Sequence, residues 1–233
     1  MGVRCVLPPA QARHVARVLR LRAGDAVALF NGDGCEYSAQ VARIGKDAVT
    51  LVVTDCGAVD REAPLAVTLA QAASSGERMD FTVQKAVELG VAAIQPLASS
   101  RSVVRLDAAR ATKRLAHWQS VAIASCEQCG RNRVPLVSPL LELHEWLARG
   151  AGARDGATKL LLSPVGAGRL REFTRPAARI VLLAGPEGGF APGEERAATD
   201  AGFAPVRLGP RVLRTETAAV AALAAMQALW GDF

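Results

Sequence analysis

Apolar positions recur with two different spacings along the chain, and the change between them predicts two structural regions. After a helical pattern near the N-terminus, three segments alternate apolar and polar residues, as strands with one buried face do. Glycine-containing turns at 31–34 and 45–47 separate these segments. The predicted strands span residues 26–34, 35–44 and 48–56. We therefore expect a small β-barrel, followed by a linker over 57–64 that has no apolar pattern.

The helical pattern near the N-terminus covers residues 9–20. Val15, Val18 and Leu19 recur at helical spacing and form its apolar stripe, while the arginines of this segment fall outside the stripe. Gly24 then interrupts the pattern. The sequence thus predicts a short helix with a defined apolar face before the first strand.

From residue 65 onward, short apolar strands alternate with longer helical segments. The predicted strands are 65–72, 91–97, 158–164, 179–185 and 205–209. The predicted helices are 77–90, in which Gly90 is the stop, 108–129 and 215–229. This alternation is typical of an α/β fold with a mostly parallel sheet covered on both faces. The chain is therefore predicted to divide into a β domain, residues 1–64, and an α/β domain, residues 65–233.

Composition narrows the class of protein. Half of the residues are hydrophobic, which suits compact domains with buried cores and excludes a disordered chain. No apolar stretch reaches the roughly 20 residues needed to cross a bilayer, and the N-terminus lacks a signal-peptide pattern, so we expect a cytoplasmic protein without membrane association. The net charge is +6, and arginine supplies nearly all of the positive charge. Because guanidinium groups suit phosphates and bases, nucleic acid is a candidate partner.

The cysteines and histidines do not indicate a disulfide framework or a metal site. The five cysteines are odd in number and scattered. Cys126 and Cys129 form a CxxC motif, but a zinc site would need a second pair, which the sequence lacks. The motif closes a predicted helix, whereas a thioredoxin-like motif opens one. We interpret it as two small side chains on one face of a helix.

Two segments near the C-terminal end each join a strand to a glycine-containing loop. Residues 179–195 run from a buried strand into the loop 185–189, Gly-Pro-Glu-Gly-Gly, and then into a helix. Residues 206–226 run from a strand that ends at Gly209 to Thr215, a candidate N-cap of an alanine-rich helix. Glycines at the carboxyl end of a parallel strand let backbone amides approach a ligand. Each loop alone is also compatible with an ordinary turn, but together they could form one pocket.

These two loops resemble the signature segments of the SPOUT methyltransferases. Within that superfamily the chain is similar to the RsmE family, the 16S rRNA (uracil-1498-N(3))-methyltransferases. The resemblance covers nearly the whole chain, in order. The segments that carry it are HVARVLRLRAGDAVALFNGDG, ERMDFTVQKAVELGVAAIQPLASSRSVV, CEQCGRNRVP, LLAGPEGGF and LGPRVLRTETA.

The resemblance implies a fold and a cofactor. Residues 1–64 would form a PUA-like, RNA-binding β-barrel, and residues 65–233 a SPOUT methyltransferase domain with a C-terminal trefoil knot that binds S-adenosylmethionine. The implied cofactor-binding residues are Ser163, Leu183, Gly185, Pro186, Glu187, Gly188, Leu208, Gly209, Val212, Leu213 and Thr215. The family forms homodimers through its last helix. Alanines in that helix suit either dimerisation, which we favour, or core packing: Ala218, Ala219, Ala222 and Ala225.

The implied reaction is methyl transfer to N3 of a uridine in the small ribosomal subunit, and it makes specific chemical demands. Uracil N3 carries a proton at neutral pH, so the enzyme must help it leave or stabilise the resulting anion. The base must also be exposed from its stack. The predicted catalytic residues are Arg101, Glu187 and Arg214, with Glu216 as a further candidate. The predicted RNA-binding residues are Arg13, Arg17, Arg20, Arg22 and Arg131.

Two other functions fit parts of the sequence. The barrel and the positive charge suit a ribosomal RNA-binding module without catalysis, although such a module would not need a cofactor pocket. A SPOUT methyltransferase that acts on another RNA site, such as a tRNA ribose 2′-hydroxyl, is the second alternative. The expected partners of the favoured function are 16S rRNA, within the assembled small subunit, and a second copy of the chain, without a metal.

Overall fold

The computed structural model describes residues 2–46, 48–102, 108–151, 156–166, 168–176 and 179–233. Asp47 of the second predicted turn, and Val103 and Val104 at the end of the second family-like segment, lie outside the described residues. The chain forms two compact units: unit 1 comprises Met1–Arg61 and Gly130–Arg133, and unit 2 comprises Glu62–Cys129 and Val134–Phe233. The predicted domain boundary after residue 64 lies close to Arg61, where the chain first leaves unit 1. The prediction does not include the second segment of unit 1, Gly130–Arg133.

Unit 1 is built on a four-stranded antiparallel sheet with the order β1-β4-β3-β2. Its strands are β1 (Arg4–Val6), β2 (Ala26–Leu29), β3 (Cys35–Ile44) and β4 (Val49–Ala58). The three predicted strands are confirmed, whereas β1 was not predicted because three residues are too few for a periodic pattern. Ala39, Val41, Val49 and Leu51 form the core of this unit on one face of the sheet.

The N-terminal helix differs from its prediction. It consists of α1 (Pro9–Arg13) and a π-helical turn over His14–Val18, closed by a hydrogen bond from the Leu19 N–H to the His14 carbonyl at 3.0 Å. A π turn holds more residues than an α turn, so the 3.6-residue period fails beyond His14. The predicted stripe is therefore wrong in part: Val15 is buried, but Val18 and Leu19 are exposed.

Unit 2 contains a sheet in which all pairings are parallel, as predicted. The strand order is β11-β9-β10-β5-β6-β7, and β8 also pairs with β6. The strands are β5 (Val67–Ala72), β6 (Ala93–Ala98), β7 (Leu136–Val137), β8 (Leu141–Glu142), β9 (Thr158–Leu162), β10 (Ile180–Ala184) and β11 (Ala204–Val206). The two-residue strands β7 and β8 were not predicted. The central strand β10 is buried throughout.

Helices pack on this sheet and on one another. They are α2 (Gly76–Glu88), α3 (Ala108–Cys129), α4 (Leu143–Ala148), α5 (Pro192–Asp200) and α6 (Thr215–Trp230), with a 3₁₀ turn at Leu170–Glu172. The three long predicted helices are confirmed, and Gly90 ends α2 with a positive φ of 77°. Helix α2 packs against both α3 and α6. Within the described part of the chain, no helix combines the length and the apolar character needed to cross a membrane.

Candidate functional site

A cleft opens where β9, β10 and β11 end. Because these strands are parallel neighbours, their carboxyl ends meet at one edge of the sheet, where open α/β sheets bind ligands. The cleft has an empty volume of about 750 Å³, which includes its open mouth. The loops after all three strands line it, together with the first turn of α6.

The structure brings most of the predicted cofactor residues together around this cleft. The lining includes Ser163, Gly185, Pro186, Glu187, Leu208, Val212, Leu213 and Thr215. Leu183 does not fit the prediction, because it lies within β10 and is fully buried in the core of unit 2. Gly188 and Gly209 lie in the same loops as the lining residues, and Gly209 adopts a positive φ of 114°. Lining residues that were not predicted include Phe190, Glu195, Arg207 and Arg211.

The loop after β10 turns tightly at the cleft. A Cβ atom at Gly185 would lie only 3.3 Å from the ring of Phe190, a buried residue. Gly189 has a φ of 66°, in the left-handed region that favours glycine. The glycines of this loop therefore allow the backbone to pass closely over Phe190 and to face the cleft.

A buried polar network joins this loop to helix α6. The Thr215 hydroxyl donates to the Gly185 carbonyl at 2.5 Å and accepts a hydrogen bond from Gln71 Nε2 at 3.0 Å. Gln71 Nε2 also lies 3.2 Å from the Gly185 carbonyl and 3.0 Å from the Ala72 carbonyl. The prediction that Thr215 is an N-cap is wrong: Arg214 holds that position, and Thr215 is the first residue of the helix. Its hydroxyl instead fixes one wall of the cleft.

Glu187 is held by two donors from the start of α2. Its Oε1 accepts hydrogen bonds from the Ser75 backbone N–H at 3.2 Å and from Arg78 Nη1 at 3.1 Å. Partial burial acts to raise the pKa of Glu187, but the N–H groups of Glu187 and Ser75 and the charge of Arg78 together hold the pKa below its ordinary value. A lowered pKa makes a carboxylate a weaker base, so this geometry favours Glu187 as an orienting group.

Arg101 and Glu194 connect the loop after β6 to the loop after β10. Arg101 Nη1 donates to the carbonyls of Gly188 at 3.0 Å and Phe190 at 3.5 Å. Buried Glu194 accepts from the Ser100 N–H at 2.7 Å through one oxygen and from the Ala191 N–H at 2.8 Å through the other. The two predicted catalytic residues Arg101 and Glu187 thus converge on one loop.

Arg214, the third predicted catalytic residue, is exposed next to the cleft-lining Thr215. Its neighbour Glu216 is half-buried, and its Oε2 is buried without a hydrogen-bond partner among the described residues. A buried carboxylate oxygen in this state can accept a proton or a hydrogen bond from a ligand.

The predicted RNA-binding arginines fall into two groups. Arg13, Arg17, Arg20 and Arg22 are all exposed on the N-terminal segment of unit 1, where phosphates can reach them. Arg131 is only 5% exposed, so its burial contradicts the prediction that it contacts RNA in this conformation. It lies in the return segment of unit 1 rather than on an open surface.

The CxxC motif stands apart from the cleft. Cys126 is buried and Cys129 is half-buried near the end of α3, and neither belongs to a disulfide bond. Among the described residues, no group of three His, Cys, Asp or Glu side chains is placed to hold a metal ion.

Three further residues that hold the site together were missed from the sequence, and each left a weak signal. Gln71 is a polar residue at the end of a strand that is otherwise apolar, next to Ala184 in the β5–β10 register. Arg78 lies in the first turn of the helix that follows. Glu194 follows Pro192 at the start of α5, which resembles a capping position. A polar residue at the carboxyl end of a buried parallel strand was the most usable of these signals.

Matches to family models and to known proteins agree on one family. Residues 61–227 match the model of the RNA methyltransferase domain, and residues 7–54 match the RNA methyltransferase PUA domain. The chain is 33% identical to ribosomal RNA small subunit methyltransferase E of Buchnera aphidicola (Schizaphis graminum strain) over 97% of this chain and 91% of that protein. It is 30% identical to the protein of the same name from Bacillus subtilis, over 93% of this chain and 86% of that one.

Solved structures agree with the sequence matches. The ribosomal RNA small subunit methyltransferase E of Neisseria gonorrhoeae, bound to S-adenosylmethionine, superimposes with a TM-score of 0.91 at 46% identity, covering 100% of this chain and 94% of that one. A Legionella pneumophila structure in complex with the same cofactor has a TM-score of 0.95 at 40% identity, with the same coverage of the two chains.

Proposed function

This chain belongs to the family of ribosomal RNA small subunit methyltransferases E, and we propose that it transfers a methyl group from S-adenosylmethionine to N3 of uridine 1498 in 16S rRNA. It is an S-adenosylmethionine-dependent RNA methyltransferase by family. The observation that carries the proposal is the cleft at the ends of β9, β10 and β11, which most of the cofactor residues implied by the resemblance line. Because the substrate is ribosomal, we place the reaction in the cytoplasm.

The cleft fits the chemistry of the cofactor. Its walls carry apolar side chains, among them Leu208, Val212 and Leu213, that suit the adenine and the carbon chain. Glu187 and Glu195 offer negative charge for the ammonium and sulfonium groups, whereas Arg207 and Arg211 offer positive charge for the carboxylate. When bound, S-adenosylmethionine supplies an electrophilic methyl group. Leu183, by contrast, supports the cleft from within the sheet.

We propose that groups near the loop after β10 remove the proton from uracil N3 and stabilise the resulting anion. The uracil N3–H must lose its proton, and positive charge near the ring oxygens would stabilise the anion. Arg101 and Arg214 are the arginines we propose for this role, because Arg101 contacts the loop and Arg214 precedes a lining residue. Glu187, held by Arg78, orients the loop. Glu216 is the better candidate for accepting the proton, since one of its oxygens has no partner among the described residues.

The finer architecture is proposed on the same basis. We propose that the C-terminal part of unit 2 forms a trefoil knot. The segment after β9 runs against the backbone of β11: the Gly168 N–H donates to the Pro205 carbonyl at 3.3 Å, and the Arg207 N–H donates to the Gly168 carbonyl at 2.9 Å. We also propose that the enzyme is a homodimer whose interface includes α6. Ala219 and Ala222 pack inside unit 2 and Ala218 lines the cleft, which leaves the partly exposed Ala225 for that role.

We further propose that unit 1 binds the RNA through its exposed N-terminal arginines, within the assembled small subunit, without a metal. The family match to a PUA domain over residues 7–54 supports this assignment. Phosphate contacts of this kind make binding sensitive to salt.

Cofactor binding and methyl transfer test the proposal together. Small subunits from cells that lack the modification are incubated with the protein and methyl-labelled S-adenosylmethionine, and the labelled nucleoside is identified by chromatography and mass spectrometry. We expect 3-methyluridine at one site. Label on a ribose, or at another RNA position, would indicate a different member of the superfamily.

A pair of helix variants links the activity to the cleft. Ala218→Trp fills the cleft, whereas Ala228→Trp on the exposed face of α6 is the matched control. We expect calorimetric binding of S-adenosylmethionine to the wild type and to Ala228→Trp, and none to Ala218→Trp. Folded wild-type protein that binds RNA but not the cofactor would favour the rival function, an RNA-binding module without catalysis.

A further inference from the structure

A second cleft lies between helices α2 and α3 of unit 2, and it is called here the α2–α3 cleft. Its lining residues are Ser74, Ser75, Gly76, Met79, Asp80, Arg114, His117 and Trp118. Its empty volume is about 560 Å³ including the mouth. It shares a wall with the cofactor cleft, because Ser75 lines one and Glu187 lines the other, and the Ser75 N–H donates to Glu187 Oε1 at 3.2 Å.

Two hydrogen-bond donors in this cleft have no partner among the residues that the structure describes. Ser74 is only 1% exposed, and its Oγ is buried without a hydrogen bond. Arg114 Nη1 is likewise buried and unpartnered. Folded proteins pair nearly all such buried groups, since each unpaired one is unfavourable. A ligand with acceptor oxygens would satisfy both the buried hydroxyl and the guanidinium nitrogen of this cleft.

The start of helix α2 adds to this positive character. The helix is 13 residues long and begins at Gly76, and its N-cap Ser75 makes no side-chain capping bond. The helix dipole favours an anion at such an end, and the Glu187 carboxylate already accepts the Ser75 N–H there.

The remaining polar groups of the cleft already pair with each other. Asp80 Oδ2 lies 2.8 Å from His117 Nε2. A nucleobase would need an acceptor for its own N–H groups, and Asp80, the carboxylate among the lining residues, already pairs with His117 through Oδ2. The groups that lack partners are a guanidinium and a hydroxyl, which is the donor set of a phosphate site.

We propose that the α2–α3 cleft binds a phosphate group of the RNA substrate, from a nucleotide that flanks the methylated uridine. This inference rests on the proposed function for the identity of the RNA. The shared wall with the cofactor cleft explains why this phosphate would help to place the target base: a phosphate fixed beside Ser75 lies one hydrogen bond away from Glu187. Arg114 and Ser74 are therefore positioning residues for the substrate.

Arg114→Gln tests the proposal, with Lys113→Gln as the matched control. Lys113 is exposed on the same helix and carries the same charge, but it does not line the cleft. Binding of unmodified small subunits is measured over a series of salt concentrations. Loss of one phosphate contact should reduce the slope of log K against log salt by roughly 0.7–0.9. We expect this reduction, a roughly tenfold weaker Kd and a raised KM for Arg114→Gln, with unchanged S-adenosylmethionine affinity. Equal effects in the two variants would overturn the proposal.

Ser74→Ala separates binding from folding. Removing a hydroxyl that has no partner in the free protein should leave the thermal midpoint of the free protein unchanged or raise it, while subunit affinity falls. A lower midpoint with full subunit affinity would show that Ser74 is structural and would contradict the proposal. Inorganic phosphate is titrated at constant ionic strength as a separate probe. Two results together would overturn the RNA assignment: tight binding of inorganic phosphate to the wild type, and full affinity of Arg114→Gln for small subunits. The site would then bind free phosphate rather than a phosphate of the RNA.

Failure of this inference can be told apart from failure of the proposed function. Wild-type methyl transfer to the subunits is measured in the same experiment. Transfer by the wild type, with equal salt slopes for Arg114→Gln and Lys113→Gln, removes the phosphate site and keeps the methyltransferase. A slope difference without any transfer keeps the phosphate site and removes the proposed reaction.

Discussion

The hydroxyl of Thr215 links the loop after β10 to helix α6, and Thr215→Val removes it while keeping a side chain of nearly the same shape. The wild-type hydroxyl donates to the Gly185 carbonyl and accepts from Gln71. It is buried, with Thr215 only 7% exposed. Since Thr215 also lines the cofactor cleft, its loss should affect both stability and cofactor affinity.

The size of the effect follows from which partners remain satisfied. Two hydrogen bonds are lost, each with a net contribution of about 0.5–1.5 kcal/mol. Gln71 Nε2 keeps the carbonyls of Ala72 and Gly185 as acceptors, so neither Gln71 Nε2 nor the Gly185 carbonyl is left without a partner. We therefore expect Thr215→Val to lower the free energy of unfolding of unit 2 by about 1–2 kcal/mol. For a chain of this length the thermal midpoint should fall by roughly 2–8 °C.

Tryptophan fluorescence is a selective assay for this loss. All three tryptophans, Trp118, Trp146 and Trp230, belong to unit 2, so denaturant unfolding followed by their emission reports on that unit. Calorimetric titration with S-adenosylmethionine gives the second readout, for which we expect an affinity loss of up to about tenfold, equivalent to roughly 1.4 kcal/mol.

Thr215→Ser is the control, because it keeps the hydroxyl and removes one methyl group, a loss of roughly 0.8 kcal/mol at most. It should retain cofactor affinity. The reasoning is refuted if Thr215→Val unfolds at the same denaturant concentration as the wild type, or if Thr215→Ser loses as much cofactor affinity as Thr215→Val.

Three further predictions concern other parts of the molecule. The single tyrosine, Tyr37, donates to Asp33 Oδ2 at 2.5 Å, and this hydrogen bond raises the pKa of Tyr37 to about 12. Ultraviolet titration should therefore show a tyrosine midpoint near 12 in the wild type and a midpoint closer to 10, the ordinary value, in Asp33→Asn. Identical midpoints in the two proteins would contradict this prediction. A Cβ at Gly166 would lie 3.0 Å from the backbone of β11, so Gly166→Ala should lower the denaturant midpoint of unit 2. Gly193→Ala is the control and should not lower it, because the space around a Cβ at Gly193 is open. Equal midpoints for the two variants would refute this prediction. Because the pKa of Glu187 is lowered in the folded protein, its contacts stabilise unit 2 at pH values above 4.5, the ordinary carboxyl pKa, and this stabilisation is lost as the pH falls through the folded pKa. The difference in unfolding free energy between the wild type and Glu187→Gln should therefore shrink on acidification. A difference that does not depend on pH would exclude this linkage.

Long periodic segments were predicted well because their pattern follows directly from burial. Helix α3 was predicted at its observed bounds, and the buried strand β10 was recognised from five consecutive apolar residues. The N-terminal helix failed because its π turn changes the period, which the identities of Val18 and Leu19 do not reveal. The two-residue strands β7 and β8 depend on pairing with β6, a contact that local pattern does not encode.

The cofactor cleft was predictable where the backbone itself determines the site. Glycine-containing loops at strand ends pointed to the loop 185–189 and to Leu208–Thr215 before any fold was known. Residues that act through tertiary contacts were missed, because nothing near Gln71 in the sequence indicates its contact with Thr215, 144 positions later. Arg131 shows the opposite error: its place in a family-like segment suggested RNA contact, but the fold buries it.

The return of Gly130–Arg133 to unit 1 affects how the protein folds as it is made. Asn132 Nδ2 donates to the carbonyls of Val59 at 2.6 Å and Gly34 at 3.2 Å, and Arg61 Nη1 donates to the Gly130 carbonyl at 2.9 Å. The ribosome adds these last residues of unit 1 about 70 positions after Arg61, which at roughly 5–20 residues per second corresponds to about 4–14 s. During that interval the N-terminal sheet lacks the segment that closes it. Unit 1 is therefore completed only after much of unit 2 has been synthesised.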